Sequence, residues 1–403
     1  MKIKIEKSTA RGVIAAPPSK SFAHRLLIGA SLAGGGSVTG VAESEDVLAT
    51  LDCAEACLGL EYEKSGGAVR ILSSDVMGAS RGVLNCRESG STLRFFIPLC
   101  LLKPTESEFF GSERLFSRPL DVYEKLCRER RLELSVHSGG ARVKGPLCSG
   151  RFTVRGDVSS QFITGLLFAL PLLSGDSKLE ITPPIESRPY IDITLESLRL
   201  FGIEARFLSE NVIFVPGDQS YRPTCAVVEG DYSNAAFLSA FSLIGGDVEV
   251  TGLNERSVQG DRVYIDYFDA IKRGGAVLDV KECPDLAPVL MAMAAVFGGA
   301  VLTGTRRLKI KESDRGAAMA EELAKFGIDA YVGEDEIRIC SGKLRAPSEP
   351  ISSHNDHRIA MSATLLLSIT GGVLDGAEAV RKSYPDFFSD VKKLGIEVYV
   401  IDN

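Results

Sequence analysis

Residues 19–41 read Ser-Lys-Ser-Phe-Ala-His-Arg, then Leu-Leu-Ile-Gly-Ala-Ser-Leu-Ala, then Gly-Gly-Gly-Ser-Val-Thr-Gly-Val. A polar cluster with cations comes first, and an uncharged run of helix-forming residues follows it. Glycines and β-branched residues then predict a turn and a strand. Because Leu26–Ala33 carries no charge, the predicted helix is apolar on all sides and is expected to be buried.

The same order of polar cluster, apolar helix and strand recurs along the chain. The predicted helices start near residues 20, 91, 160, 233, 286 and 357. A period of about 70 residues indicates internal repetition, but it is too long for a solenoid repeat. We therefore predict small α/β subdomains, three in each half, since 403 residues exceed one ordinary core. The segment 217–229 is the candidate hinge between the halves.

Composition excludes several classes of protein. The net charge of -7 argues against nucleic acid or an anionic membrane as the main partner, and no apolar run reaches the length of a bilayer span. The nine cysteines are scattered and lack zinc-site spacing, which predicts a reducing cytoplasm. We find no signal peptide, nucleotide-binding motif or metal motif.

The stretch Leu308–Arg315 (Leu-Lys-Ile-Lys-Glu-Ser-Asp-Arg) combines three cations and two carboxylates just before a predicted helix. Alternation predicts a strand over 308–311, and periodicity predicts a helix over 316–326, capped by Ser313 or Asp314. Lys311, Glu312 and Arg315 would then lie at a helix start, where free N–H groups favour an anion. Phosphate binding with proton transfer suits these groups, and a solvated, salt-bridged helix start remains the alternative.

Asp285 lies between Pro284 and a nearly uncharged helix. It either caps that helix or acts as a base, since a half-buried carboxylate beside cations can be tuned for proton transfer. Most other polar clusters fit helix capping as well as phosphate binding. They are Pro17–Arg25, Ser89–Arg94, Ser117–Leu120, Ser159–Gln161, Ser187–Tyr190, Asn355–Arg358 and Arg381–Asp386.

Taken together and in this order, the clusters resemble a known family. The chain is similar to the 5-enolpyruvylshikimate-3-phosphate (EPSP) synthases from near its start to Phe388. The matching phrases are Ser19-Lys20-Ser21 with Arg25, Ser89-Gly90-Ser91 with Arg94, Arg118-Pro119, Ser159-Ser160-Gln161, Ser187-Arg188-Pro189-Tyr190, Pro284-Asp285, Lys311-Glu312-Ser313-Asp314-Arg315, Asn355-Asp356-His357-Arg358 and Lys382-Ser383-Tyr384-Pro385.

The resemblance implies an α/β protein with two inside-out domains, each made of three βαβαββ repeats with buried helices. The expected domains are 1–18 with 229–403, and 19–228 between them, with hinges near 18 and 217–229. The family transfers the enolpyruvyl group of phosphoenolpyruvate to the 5-hydroxyl of shikimate 3-phosphate, by addition and then elimination of phosphate. Both substrates are polyanions, which agrees with clusters of cations, hydroxyls and helix N-termini.

The resemblance also implies roles for individual residues. Asp285, Glu312 and Lys20 correspond to catalytic groups: Asp285 to the base for the 5-hydroxyl and Glu312 to the acid for the methylene carbon. The residues expected to bind shikimate 3-phosphate are Lys20, Ser21, Arg25, Ser159, Ser160, Ser187, Tyr190, Asp285 and Lys311. Those expected to bind phosphoenolpyruvate are Lys20, Gly90, Arg118, Gln161, Arg315, Arg358 and Lys382.

Two features argue against the alternatives to this resemblance, which are a related enzyme with another acceptor and a binding protein without catalysis. The sister enzyme that uses UDP-N-acetylglucosamine typically has a cysteine five residues before an Arg-Pro pair, where this chain has Glu113. A binding protein that had lost catalysis would not need Lys20, Asp285, Glu312 and Arg315 together. The chain departs from the family at Arg307, which we leave without a role. We expect a cytoplasmic monomer without metal or organic cofactor.

Overall fold

A computed structural model describes residues 1–78 and 82–402. Within these ranges, the helices are α1 Lys20–Ala33, α2 Glu45–Leu58, α3 Gly90–Cys100, α4 Glu113–Ser117, α5 Asp121–Arg130, α6 Ser160–Ala169, α7 Arg188–Leu200, α8 Tyr232–Leu243, α9 Tyr264–Arg273, α10 Ala287–Val296, α11 Arg315–Lys325, α12 His357–Thr370 and α13 Phe387–Lys393. Short 3₁₀ turns cover Leu170–Leu172, Gly260–Val263, Pro284–Leu286, Arg306–Ile310 and Ala377–Lys382.

The strands of the same ranges are short. They are β1 Lys2–Ile5, β2 Arg11–Ala15, β3 Gly36–Thr39, β4 Glu61–Ser65, β5 Ala68–Ser73, β6 Val83–Asn85, β7 Glu106–Phe110, β8 Glu133–His137, β9 Gly140–Lys144, β10 Gly150–Arg155, β11 Ser177–Thr182, β12 Arg206–Ser209, β13 Val212–Val215, β14 Thr224–Val227, β15 Asp247–Thr251, β16 Ala276–Asp279, β17 Ala300–Thr303, β18 Ala330–Val332, β19 Glu336–Ile339, β20 Ile351–Ser352, β21 Gly372–Asp375 and β22 Val398–Asp402.

The chain divides into two compact units. Met1–Pro17 and Gly230–Asn403 form one, here called the termini unit, and Pro18–Glu229 form the other, the inserted unit. The hinge predicted at 217–229 contains β14, which pairs with β3 inside the inserted unit. The hinge itself stays a prediction.

One sheet pattern recurs in both units. The inserted unit has three four-stranded sheets, in the orders β14-β3-β5-β4, β6-β7-β9-β8 and β10-β11-β13-β12. In each, the first pair is parallel and the others are antiparallel; Gly150 of β10, for example, lies opposite Ser177 of β11. The termini unit repeats the pattern in β20-β21-β1-β22 and β16-β17-β19-β18, and β15-β2 supplies a parallel pair.

The helices that open the repeats are buried on almost every side. In α10, all residues from Ala287 to Ala295 are buried, and in α3 every residue except Ser91 is buried. A charge on any face of such a helix needs a partner inside the core: α10 carries none, and Arg94 of α3 donates to Gln161 and to the Pro119 carbonyl. Their starts agree with the predicted repeat, and the predicted fold class of inside-out α/β domains is confirmed. None of the described helices is long and apolar enough to cross a membrane.

The strand predicted over 308–311 is wrong. Arg306–Ile310 forms a 3₁₀ turn, in which the Leu308 N–H donates to the Thr305 carbonyl at 2.9 Å. Four alternating residues fit a short turn as well as a strand, because a turn can also bury one apolar side chain, here Leu308. The helix predicted at 316–326 is confirmed as α11, and Asp314 is its cap because its side chain accepts the Ala317 N–H at 3.2 Å.

Candidate active site

Asp285 holds the centre of a charged cluster in the termini unit. Its Oδ1 accepts hydrogen bonds from Arg315 Nη1 at 2.7 Å and Lys311 Nζ at 3.2 Å. Its Oδ2 accepts from Arg358 Nη2 at 2.9 Å. Asp285 is not the helix cap that was considered, because it lies inside the 3₁₀ turn Pro284–Leu286, and the N-cap positions of this turn and of α10 are Cys283 and Leu286.

Arg315 links this carboxylate to two more. The guanidinium is 1% exposed and donates through Nε to Asp356 Oδ2 at 2.9 Å and through Nη2 to Glu312 Oε2 at 2.8 Å. Ser313 Oγ donates to the same Asp356 oxygen at 3.1 Å. Each part of the guanidinium therefore meets a different carboxylate, so its plane and position are fixed.

Asp356 also organises the start of α12. Its Oδ1 accepts the Arg358 backbone N–H at 2.9 Å, which makes it the N-cap. Arg358 Nη1 donates to Ser233 Oγ at 2.6 Å, while its Nη2 donates to Asp285 Oδ2. On the other side, Lys382 Nζ donates to the Asn355 carbonyl at 2.6 Å. The predicted residues Asp285, Lys311, Glu312, Arg315 and Arg358 thus lie in one network, with Lys382 beside it.

The electrostatics of this network favour ionised carboxylates. Burial alone would raise the pKa of Asp285, but the charges of Arg358, Lys311 and Arg315 outweigh it and hold that pKa well below its usual range. Burial lowers the pKa of Lys311 to about 8, although the Asp285 charge opposes the shift. Asp285 is therefore held in its ionised form, and Lys311 gives up its proton at a lower pH than an ordinary lysine does.

A second cluster lies in the inserted unit and begins with Lys20. This residue opens α1, and its Nζ forms a 2.8 Å ion pair with Asp46 Oδ2 of α2. A lysine at a helix N-terminus opposes the helix dipole, so an acidic neighbour or a bound anion is needed to stabilise it. Asp46 was not among the residues predicted from the sequence.

Within the described part of the chain, the hydrogen-bond partners of Arg25 are neutral oxygens. Its donors reach Thr194 Oγ1 at 2.9 Å, Thr164 Oγ1 at 3.3 Å, and the carbonyls of Ser21 at 2.6 Å and Tyr190 at 3.1 Å. Burial lowers the pKa of Arg25 to about 9. A buried cation fixed by neutral oxygens keeps its charge available for an anion. Ser21 and Tyr190, both predicted to bind ligand, therefore lie next to Arg25.

A third group surrounds the start of α3. Arg94 Nη1 donates to Gln161 Oε1 at 2.8 Å, and Gln161 Nε2 donates to Ser91 Oγ at 2.9 Å. A Cβ placed on Gly90 would lie 2.6 Å from Arg118 Nη1. Gly90, Arg118 and Gln161, all predicted to bind phosphoenolpyruvate, are thus neighbours in the structure. Arg94 positions Gln161, a role that the sequence analysis did not assign.

The serine clusters have local structural roles as well. Ser159 caps α6 by accepting the Gln161 N–H at 3.3 Å, as the capping alternative predicted, and Ser160 is the buried first residue of that helix. Ser187 is 2% exposed and has a left-handed backbone (φ 58°) just before α7. These roles are compatible with ligand binding, because the hydroxyls lie at helix N-termini, where the positive end of the helix dipole favours an anion.

The architecture and these clusters agree with comparisons to known proteins. The profile of the family described as "EPSP synthase (3-phosphoshikimate 1-carboxyvinyltransferase)" matches residues 5–391. The chain belongs to the EPSP synthase family. A 3-phosphoshikimate 1-carboxyvinyltransferase of Clostridium kluyveri is 39% identical and covers 98% of this chain and 98% of its own length. The protein of the same name from Clostridium acetobutylicum is 37% identical, also with 98% of each chain covered.

Solved structures of the EPSP synthase family have the same fold. An EPSP synthase from Acinetobacter baumannii, described at 2.37 Å, has a TM-score of 0.80 to this chain with 26% identity. The alignment covers 99% of this chain and 100% of that one. The family predicted from the sequence motifs is therefore confirmed.

Gly90→Ala is expected to raise the KM for phosphoenolpyruvate roughly tenfold, because the new methyl group displaces the Arg118 guanidinium and one charge-assisted hydrogen bond is worth about 1.5–3 kcal/mol. Steady-state kinetics with each substrate varied in turn measure the effect, and the KM for shikimate 3-phosphate should change little. If the methyl group acts through Arg118, the double variant with Arg118→Ala will be no worse than Arg118→Ala alone. Full additivity would contradict this explanation.

Proposed function

We propose that the described clusters bind shikimate 3-phosphate and phosphoenolpyruvate for the reaction of the EPSP synthase family. The chain is an enzyme that transfers the enolpyruvyl group of phosphoenolpyruvate to the 5-hydroxyl of shikimate 3-phosphate and releases phosphate. This step belongs to the shikimate pathway, which leads to chorismate and the aromatic amino acids. The observation that carries the assignment of roles is the Asp285 carboxylate held by three cations, Lys311, Arg315 and Arg358.

The termini unit supplies groups for proton transfer and for phosphoenolpyruvate. Asp285 takes the proton of the 5-hydroxyl, and Glu312, fixed by Arg315, gives a proton to the methylene carbon. Protonation makes the adjacent carbon electrophilic, so the hydroxyl oxygen adds there. Phosphate then leaves as the new methyl group returns a proton to Glu312, and Asp285 releases the hydroxyl proton together with the phosphate. Arg315, Arg358 and Lys382 bind the anionic groups of phosphoenolpyruvate, since guanidinium groups match carboxylate and phosphate geometry.

In this proposal, the negative charge of bound substrate makes Asp285 a stronger base. The three surrounding cations hold its pKa well below the usual range. When a phosphate and a carboxylate bind to those cations, their positive field at Asp285 is partly neutralised, and its pKa rises. Lys311 shifts in the same direction, because neighbouring anions favour its charged form. The proton acceptor thus gains strength when substrate is present.

The inserted unit supplies groups for shikimate 3-phosphate. Arg25 offers a buried charge fixed by neutral oxygens, and Ser21 and Tyr190 lie beside it. Ser159, Ser160 and Ser187 offer hydroxyls and helix N–H groups to the phosphate. Lys20, Gly90, Arg118 and Gln161 contact phosphoenolpyruvate. In this proposal, Lys20 exchanges its 2.8 Å ion pair with Asp46 for a substrate anion.

The deciding experiment measures phosphate release from phosphoenolpyruvate with either shikimate 3-phosphate or UDP-N-acetylglucosamine as acceptor. We expect release with shikimate 3-phosphate alone. Release with the sugar nucleotide alone would refute the assignment, and so would silence with both acceptors from folded protein. The remaining expectations are a monomer, which sedimentation velocity tests, and a cytoplasmic location. Free thiols on all nine cysteines support a reducing compartment.

Lys382→Ala is expected to raise the KM for phosphoenolpyruvate about tenfold or more, since it removes a charge-assisted hydrogen bond worth about 1.5–3 kcal/mol. The KM for shikimate 3-phosphate should stay near the wild-type value. Steady-state kinetics check both constants. Lys392→Ala is the matched control, because Lys392 is exposed on α13 of the same unit. Equal KM values for phosphoenolpyruvate in the two variants would remove Lys382 from the binding site.

A further inference from the structure

The loop just before α12 has a backbone that few residue types adopt. His354 (φ 48°) and Asn355 (φ 54°) are consecutive non-glycine residues in the left-handed region. Such residues cost energy and persist only where the surrounding structure holds them. The hydroxyls of Ser352 and Ser353 accept the backbone N–H groups of His354 and Asn355 at 3.1 and 3.2 Å.

Two predicted ligands of phosphoenolpyruvate depend on this loop. The Asn355 carbonyl accepts the hydrogen bond of Lys382 Nζ, and the next residue, Asp356, binds Arg315 Nε. A rotation of the peptide at His354 would therefore move one anchor of Lys382 and one anchor of Arg315 together.

His354 fastens the loop to α11. Its Nε2 lies 2.7 Å from Oε1 of Glu322, a side chain that is only 3% exposed. The other carboxylate oxygen of Glu322 accepts the Ser352 N–H at 3.0 Å. Glu322 therefore contacts the loop at both His354 and Ser352. Glu322 belongs to α11, the helix that begins with Arg315.

We propose that His354 is a positioning residue, which through its contact with Glu322 holds the 353–356 loop so that Lys382 and Arg315 are aligned for phosphoenolpyruvate. This inference rests on the proposed function for the roles of Lys382 and Arg315. His354 touches no reacting atom in this proposal and acts through the loop alone. None of the motifs that identify the family includes it.

The groups that face His354 make the contact sensitive to pH. The hydrogen bond to Glu322 raises the pKa of His354, burial opposes the shift, Glu321 adds to it and Lys325 reduces it. Burial would raise the pKa of Glu322, but hydrogen bonds from His354, Lys325 and Ser352 lower it overall. A histidine with a raised pKa contributes its ion pair fully below its unfolded value of 6.5 and loses it as pH rises through the folded value.

Protonation of Glu322 weakens the ion pair with His354 at low pH. Because the pKa of Glu322 is lowered in the folded protein, the contribution of this carboxylate is complete above the unfolded value of 4.5 and is lost as pH falls through the folded value. The ion pair is therefore complete between 4.5 and 6.5 and weakens as the imidazole deprotonates. A neutral imidazole can still share one hydrogen bond with the carboxylate, so the loop loosens but does not detach.

The same side chains could be read as a metal site, since the ligand atoms of Glu321, Glu322 and His354 lie within 4.8 Å of one another. However, the Lys325 ammonium already lies 3.0 and 2.9 Å from the two oxygens of Glu322. With a cation supplied by the chain itself, the cluster is satisfied as an ion-pair network.

The test compares His354→Ala and His354→Gln with the wild type from about pH 6 to 9, a range that brackets the ordinary histidine pKa. In the wild type, the KM for phosphoenolpyruvate should rise with pH as His354 deprotonates. In His354→Ala it should be roughly three- to tenfold higher at pH 6 and should lose that histidine-dependent rise, an effect typical of residues that act through others. His354→Gln keeps an amide donor for Glu322, so its KM at pH 6 should fall between the two, again without the rise.

The exposed His137 provides the matched control, since His137→Gln makes the same substitution on β8 of the other unit and should reproduce the wild-type profile. Amide hydrogen exchange supplies a readout that needs no turnover: Asn355 and Asp356 should exchange faster in His354→Ala than in the wild type. If wild-type protein releases no phosphate, the proposed function fails, whereas the exchange experiment still tests the loop contact. Unchanged exchange, or an unchanged pH profile of KM in His354→Ala, would overturn the proposal.

Discussion

Asp285→Ala is expected to lower kcat by roughly 10²–10⁴-fold, the usual contribution of a positioned general base. Affinity for shikimate 3-phosphate should not fall, because the substitution leaves Lys311, Arg315 and Arg358 without their shared carboxylate and so increases the positive charge available to anions. Single-turnover kinetics measure the chemical step, and calorimetric titration with shikimate 3-phosphate measures binding.

Asp285→Asn separates the two roles of this side chain. The amide keeps an oxygen that accepts hydrogen bonds from the cations, but it can no longer take a proton. If Asp285 is the base, both variants lose kcat to a similar extent. If its only role is to hold the cations in place, Asn will retain much more activity than Ala. A near-normal kcat in either variant would remove Asp285 from the base role.

The helices of this fold could be predicted because their signals are local. A polar residue just before a run with helical periodicity predicts a capped helix, and Ser89, Ser159, Asp314 and Asp356 all cap as such residues do. The strand predicted over 308–311 was wrong because its signal was too short. Four alternating residues carry too little periodicity to distinguish a strand from the 3₁₀ turn that Arg306–Ile310 forms.

The sequence predicted which residues belong to the candidate site, but it did not predict most of the ion pairs and hydrogen bonds between them. Lys20 pairs with Asp46 across 26 residues, and Arg315 with Asp356 across 41. Nothing in the local sequence of Asp46 distinguishes it from an acidic residue in the first turn of any helix, where the dipole favours it. Asp356 stood in a motif that matched the family, yet its second role, binding Arg315, depends on how α11 packs against α12. Only the tertiary structure brings these partners together.

Arg315→Met is expected to destabilise the termini unit by about 3–5 kcal/mol, the range observed when one partner of a buried ion pair is removed. The guanidinium is 1% exposed and contacts Asp285, Glu312 and Asp356. Methionine fills much of the same volume, so the loss arises mainly from the charges that it leaves without compensation. The fully buried Asp356 is the most affected, because it loses an ion pair that water cannot replace.

The pH dependence of this loss has a defined sign. In the wild type, burial would raise the pKa of Asp356, but the charge of Arg315 reverses that shift and lowers it. Asp356 therefore stabilises the fold above its unfolded value of 3.8 and loses that contribution as pH falls. In Arg315→Met, the pKa of Asp356 should rise instead, so the difference in stability should be largest at neutral pH and should shrink below about pH 4.

Thermal unfolding followed by circular dichroism, together with native-state amide exchange of α11 and α12, measures the effect without assuming that both units unfold in one step. Arg306→Met is the matched control. Arg306 is 57% exposed and lies 3.9 Å from an equally exposed Asp335, so its loss should cost no more than about 1 kcal/mol. If the two variants lose equal stability, the buried network does not hold these helices together, and Arg315 is retained for substrate binding alone.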